Sequence, residues 1–150
     1  MTTDDLANDL LRLSSRLAQW ANRHADPGMP WAQVRVLSHV ERLGPSRVTT
    51  LAAADDTTQP TMTAMVQRLE ADGLVERTAD PEDGRAHRVA LTPAGAETLA
   101  RARRVRAGAI RPLVDTLDDG PARVADAVAL LEDLVTAIEA DREPAATAAR

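Results

Sequence analysis

Leu6, Leu10, Leu13, Leu17 and Trp20 stand four, three, four and three residues apart, which predicts a first helix with one apolar stripe. Such a stripe requires burial, and Asp26-Pro27-Gly28 breaks the helix. A second helix is expected from about Trp31, with Val36, Leu37, Val40 and Leu43 inward and Gly44-Pro45-Ser46 as its stop. A short third helix covers Val48 to Ala54 around Leu51, and a turn follows at Asp55-Asp56-Thr57. The fourth helix starts at Thr58, whose hydroxyl caps it, and Pro60 fits the first turn because its missing N–H has no helical partner there anyway. Met62, Met65, Val66 and Leu69 form the buried stripe of that helix. At about 100° per residue this leaves Pro60, Thr63, Ala64, Gln67 and Ala71 on the opposite side, with Thr61 and Arg68 flanking.

Beyond Gly73 the spacing changes to that of strands. Leu74 to Thr78 and His87 to Leu91 are expected to pair, the second pointing Val89 and Leu91 to one face. Between them lies a polar loop around Asp80-Pro81-Glu82-Asp83-Gly84-Arg85, too long for a two-residue hairpin turn and suited to a projecting wing. Thr92-Pro93 opens a fifth helix that runs to about Leu117, and Asp118-Asp119-Gly120-Pro121 breaks it. A last helix, from about Ala122 to Glu139, carries Val124, Val128, Leu131, Leu134, Val135 and Ile138 inward at near coiled-coil spacing. This order is the layout of a winged helix-turn-helix, in a mainly α fold with a small β-wing. Residues 31–92 form the reader of one 1–150 domain, 1–25 and 93–143 are N- and C-terminal dimerisation helices, and the Ala-rich residues 144–150 are a frayed tail. The terminal helices hold more apolar surface than a winged helix needs. A second copy of the chain is expected to cover it; the alternative is packing against their own domain only.

At 150 residues the chain is long enough for one domain with a core, and a hydrophobic share of 44% excludes general disorder. Trp20 and Trp31 are its only aromatics, so Ala, Leu and Val must build that core. No apolar run approaches the roughly 18 residues that span a bilayer, and the start Met1-Thr2-Thr3-Asp4-Asp5 is acidic, unlike a signal peptide; a cytoplasmic location is expected. The absence of Cys removes disulfides, thiolate zinc sites and cysteine redox switches. A net charge of -5 is unlike that of a nucleic-acid binder, yet DNA responds to the local field, and all 18 basic residues are Arg, suited to bidentate phosphate and guanine contacts.

Five segments now combine. Leu51-Ala52-Ala53-Ala54, then Thr58-Gln59-Pro60-Thr61-Met62-Thr63, then Val66 through Arg77, then Asp80-Pro81-Glu82-Asp83-Gly84-Arg85, then Leu91-Thr92-Pro93-Ala94-Gly95 resemble, in order and spacing, the MarR family of bacterial transcription regulators. The resemblance covers nearly the whole chain. It implies a homodimer, joined through both terminal regions, that binds pseudo-palindromic operators and usually represses. It also implies a small effector, often phenolic or anionic, that binds between reader and dimerisation helices and releases DNA. Three departures stand out. Ala64 replaces the long basic side chain that the family often aims at the groove, which reduces reading there to an apolar contact such as a thymine methyl. Pro30 replaces a polar cap of the second helix, and the missing Cys excludes peroxide sensing through a reactive thiol.

For Thr58, Gln59, Pro60, Thr61, Thr63, Ala64 and Gln67 the plain reading is a solvated helix face; as the second helix of a helix-turn-helix, that face is expected to touch bases and phosphates. Gln59 or Gln67 matches adenine bidentately, while the threonines hold phosphates. Arg68 either joins them or pairs with Glu70 or Asp72. At the wing, Arg85 is expected in a narrow minor groove with Asp83 orienting its guanidinium, His87 and Arg88 are phosphate neighbours, and Arg47 meets the backbone on the other flank. The run Arg101, Arg103, Arg104, Arg106 and Arg111 reads first as a solvated face, and otherwise as partner to acidic residues of the terminal helices or as the lining of an anion cavity. Trp20, Met29, Trp31, His39 and Arg104 are the residues considered for such an effector site; each is otherwise core or rim. No metal or cofactor is expected, and neither is an enzyme: His24, His39 and His87 lie on separate elements, and no HExxH helix or phosphate-cradling glycine loop is present. The alternative function is a winged-helix module for protein contacts without operator specificity.

Overall fold

A computed structural model describes residues 1–147, with side chains through residue 141. Two compact units divide the chain, Met1–Ala109 and Ile110–Arg150.

The first unit holds α1 (Thr3–His24), α2 (Trp31–Leu43), α3 (Val48–Ala54), α4 (Gln59–Ala71), β1 (Val75–Asp80), β2 (Asp83–Leu91) and most of α5 (Pro93–Val114). Thr2 and Asp5 start α1 with a reciprocal capping box, each satisfying the other's backbone N–H. Pro30 caps α2 without a side-chain hydrogen bond; its carbonyl accepts from Gln33 N at 2.9 Å and Val34 N at 3.3 Å. At α4 the Thr58 hydroxyl accepts from Thr61 N at 3.3 Å, and Gly73, with φ +70°, turns the chain out of the helix into β1.

One apolar core joins α2 to α5 and both strands. Val36, Leu37 and Val40 of α2, Leu51 and Ala52 of α3, Met62, Val66 and Leu69 of α4, Val75 and Val89 of the strands, and Leu99 and Ala102 of α5 are all buried in it. Each fully buried Leu or Met contributes about 1.5–3 kcal/mol, so the apolar faces of three short helices suffice to fix the reader. Leu43, expected inward, is exposed because α2 ends there and the chain leaves the core.

The hairpin corrects the expected loop. Val75↔Leu91 through Ala79↔His87 pair in regular antiparallel register; then a shift brings Asp80 opposite Asp83, and only Pro81-Glu82 turns the tip. Both strands therefore run further than the apolar alternation indicates. Ser46, expected only to end a helix, makes two backbone bonds with Val89, at 3.1 and 2.8 Å, which tie the root of the wing to the α2–α3 connection.

At α1 the apolar stripe is open in the single chain. Leu6, Leu13 and Leu17 are 51%, 51% and 55% exposed, and Ala21 alone on that helix is buried. The stripe exists, and within the first unit it stays exposed.

In the second unit α5 ends at Val114, three residues before the expected Leu117. Pro112 removes one helical N–H, and Thr116 and Leu117 bond back three residues rather than four. Gly120 is required at the next corner, since a Cβ there would stand 2.1 Å from the Val114 carbonyl oxygen. There α6 (Gly120–Thr147) begins, and it continues past Pro144, where fraying was expected; residues 148–150 of that tail lie outside the described residues. Val124, Val128, Leu131, Leu134, Val135 and Ile138, expected inward, are all exposed. No helix among the described residues is long and apolar enough to cross a membrane.

Candidate nucleic-acid interface

Helix α4 owes its placement to the turn before it. Asp56 adopts φ +50°, a left-handed conformation that Asp tolerates, and Thr57 N bonds back to Ala52 O at 3.0 Å. The Asp55 carboxylate, almost fully buried, accepts from Arg35 and from His39 Nε2, at 3.1 Å for the latter. The Arg35 guanidinium holds the Asp55 carboxyl below the usual carboxylate range. Thus α2 grips the turn, and the turn aims α4. Arg35, His39 and Asp55 act here as one clamp, which gives His39, considered for an effector site, a carboxylate partner in the turn.

On the outer side of α4, Gln59, Pro60, Thr61, Ala64, Gln67 and Arg68 are exposed and Thr63 is half-buried. The Thr58 and Thr61 hydroxyls bond to each other at 2.8 Å as part of the cap. Glu70, a possible partner of Arg68, instead pairs with Arg77 of β1 at 3.0 Å. Among the described residues, Arg68, Gln59 and Gln67 therefore keep side-chain groups without an intramolecular partner.

The wing is organised around Asp80, a residue not singled out by the sequence reading. Its side chain is wholly buried. One oxygen pairs with Arg47 Nε at 2.6 Å; the other accepts from Arg88 Nη2 at 3.1 Å and from the Glu82 backbone N–H at 3.0 Å. The Glu82 N–H and the Arg47 guanidinium lower the Asp80 carboxyl to about 2. Arg47, at the start of α3, and Arg88, on β2, thus reach this anchor from either side, and Arg88 also meets Glu82 at 3.4 Å. Asp83 does not hold the Arg85 guanidinium. Its Oδ1 accepts the Arg85 backbone N–H at 3.1 Å, a local turn-forming bond. The Arg85 side chain stands exposed at the tip with no ion-pair partner among the described residues, and His87 is exposed beside it.

The residues considered for an effector site do not share one environment. Trp20 stacks on His24 with ring centroids 4.0 Å apart. Met29 and Trp31 pack against the core, and Trp31 Nε1 donates to the Asn22 carbonyl at 2.8 Å. The cation facing Trp31 is Arg106, 5.6 Å from the ring centroid, while Arg104 lies 3.8 Å from Glu97. Arg103 pairs with Glu41 at 2.6 Å. No group of three or more potential metal ligands occurs among the described residues.

A helix presented by a turn held through one buried carboxylate, beside an anchored hairpin that carries an arginine unpaired among the described residues, defines a DNA-binding winged-helix regulator. The MarR family model matches residues 29–87. An uncharacterised HTH-type transcriptional regulator of Mycobacterium bovis is 32% identical over 104 residues, 68% of this chain and 69% of that protein. Among solved structures, a putative transcriptional regulator of Pseudomonas aeruginosa is 32% identical with a TM-score of 0.69, covering 90% of this chain and 98% of its own. The transcriptional regulator Tm0710 of Thermotoga maritima superposes with a TM-score of 0.71 at 24% identity, over 92% and 99% of the two chains. An S. aureus MepR mutant bound to an oligodeoxyribonucleotide does so with a TM-score of 0.61 at 20% identity, over 89% and 99%. The chain belongs to the MarR family of transcriptional regulators.

Proposed function

We propose that this chain acts as a homodimeric repressor of a pseudo-palindromic operator, relieved by a small anionic or phenolic ligand. The observation that carries the dimer is the apolar surface left open on both terminal helices: Leu6, Leu13 and Leu17 on α1, and Val128, Leu131 and Val135 on α6. A stripe of this kind in water is an interface awaiting a partner, and an identical chain brings the same stripe. Two copies then present two α4 helices to successive major grooves, roughly 34–36 Å apart, with Arg85 of each wing reaching the adjoining minor groove. That a MepR mutant of this fold is bound to an oligodeoxyribonucleotide supports DNA as the partner. Trp31, with Arg106 over its ring, offers an aromatic face and a cation to a phenolic acid. Such a ligand weakens DNA binding only by preferring a form in which the two readers are misaligned.

Selection of bound fragments from random duplexes, with sedimentation of the purified protein, tests the proposal. A palindromic consensus bound by a dimer is expected, with affinity falling steeply as salt rises because phosphate contacts release counterions. A monomer at micromolar concentration, or no enriched sequence, refutes it; the latter favours a protein-contact module. For the ligand, Trp fluorescence during titration with phenolic acids should change together with loss of DNA. A flat signal with operator binding intact removes that part of the proposal.

A further inference from the structure

The buried residues of α4, Met62, Val66 and Leu69, with half-buried Met65 packed against the core beside them, fix which side of that helix faces outward. Directly opposite them, at about 100° per residue, stand Pro60, Ala64, Gln67 and Ala71, all exposed. Three of these four have no hydrogen-bonding atom in the side chain. Thr63 and Gln59 lie to one side of this strip, and Arg68 and Thr61 to the other, where they meet sugar and phosphate more readily than base edges. The Thr61 hydroxyl is in addition held by Thr58 at 2.8 Å.

We infer that Gln67 is the one hydrogen-bonding base reader at the centre of α4 and that Ala64 fits a thymine methyl, so that each half-site holds adjacent A·T pairs beneath this helix. The inference rests on the reading above that α4 enters the major groove. A primary amide sets a donor beside an acceptor, which matches adenine N7 and N6–H; guanine offers two acceptors in that place, and one of them would face the amide oxygen. The Ala64 methyl contacts the thymine C5-methyl and leaves nothing to bond cytosine N4–H or guanine O6. Between Ala64 and Gln67 the helix rises about 4.5 Å, near the roughly 3.4 Å spacing along one DNA strand, so the two side chains meet neighbouring pairs.

The test uses the full chain and its selected operator. Replacing thymine by uracil, one position at a time, removes only the methyl group; one such position in each half-site should lose about fourfold in affinity, the worth of one buried methyl. That position should become insensitive in Ala64→Ser. Gln67→Ala should lose about tenfold and accept any base at the adjacent pair; both residues are exposed, and the helical circular dichroism checks that each variant folds. Selected half-sites with G·C at the pair that Gln67 discriminates, or uracil without effect at every position, overturn this inference while leaving the operator-binding reading intact. Failure to enrich any duplex overturns that reading, and this inference with it.

Discussion

Asp80 joins three parts of the wing through one buried carboxylate: the turn at Glu82, the start of α3 through Arg47, and β2 through Arg88. Its ionised form is the one these partners bind, so its pKa falls from the ordinary 3.8 to about 2 in the folded chain. A carboxyl depressed on folding stabilises the fold fully above its unfolded value of about 4, and that contribution is lost as pH falls from there through about 2. Asp55, lowered by Arg35, acts in the same direction. We expect Asp80→Asn to lower the thermal midpoint at neutral pH and to flatten its decline between pH 4 and 2; an acid profile parallel to that of the unsubstituted protein would contradict the anchor. The Arg85 side chain differs in having no partner among the described residues to lose. Its replacement by Ala should leave the midpoint unchanged and weaken operator binding more than tenfold, and equal affinity at moderate salt would remove Arg85 from the interface. The sequence marked Arg85 by its place in a motif, whereas Asp80 gave no separate signal, because its importance comes from Arg47, 33 positions earlier.

Among the elements, α3 and α4 form where the sequence predicts them, since their limits are set locally by Leu51, the left-handed Asp56 and the Thr58 cap. The same holds for the entry to α5. Thr92 Oγ1 donates to the Gly73 carbonyl at 2.7 Å and accepts from Gly95 N at 3.0 Å, binding the end of α4 to the start of α5. Gly95 is needed for this approach: a Cβ there would lie 2.0 Å from the Leu74 carbonyl oxygen, a backbone atom that cannot swing aside. Gly95→Ala is therefore expected to cost stability although Ala is the better helix former by about 1 kcal/mol, and an unchanged or raised unfolding midpoint would show that α5 packs differently. The hairpin tip was not legible because its register shift depends on the buried Asp80, a tertiary cause that alternation cannot reveal.

For the whole molecule, a net charge of -5 makes long-range attraction to DNA weak. In the proposed dimer, affinity comes from matched contacts made twice, and so from the pairing of chains. A charge placed within the α6 stripe tests this without touching the reader. Leu131→Glu should shift the protein to monomer in sedimentation and reduce operator affinity at least a hundredfold while the far-ultraviolet spectrum stays helical; an intact dimer would put the interface elsewhere. The order of elements, the helix-turn-helix and the outer face of α4 followed from sequence alone, because helical periodicity, caps and breakers act within a few residues. Whether an apolar stripe is covered, which arginines are spent on Asp80 and which stay free, and where the wing turns were decided only in the folded chain, because burial and ion pairing depend on groups brought together from distant positions.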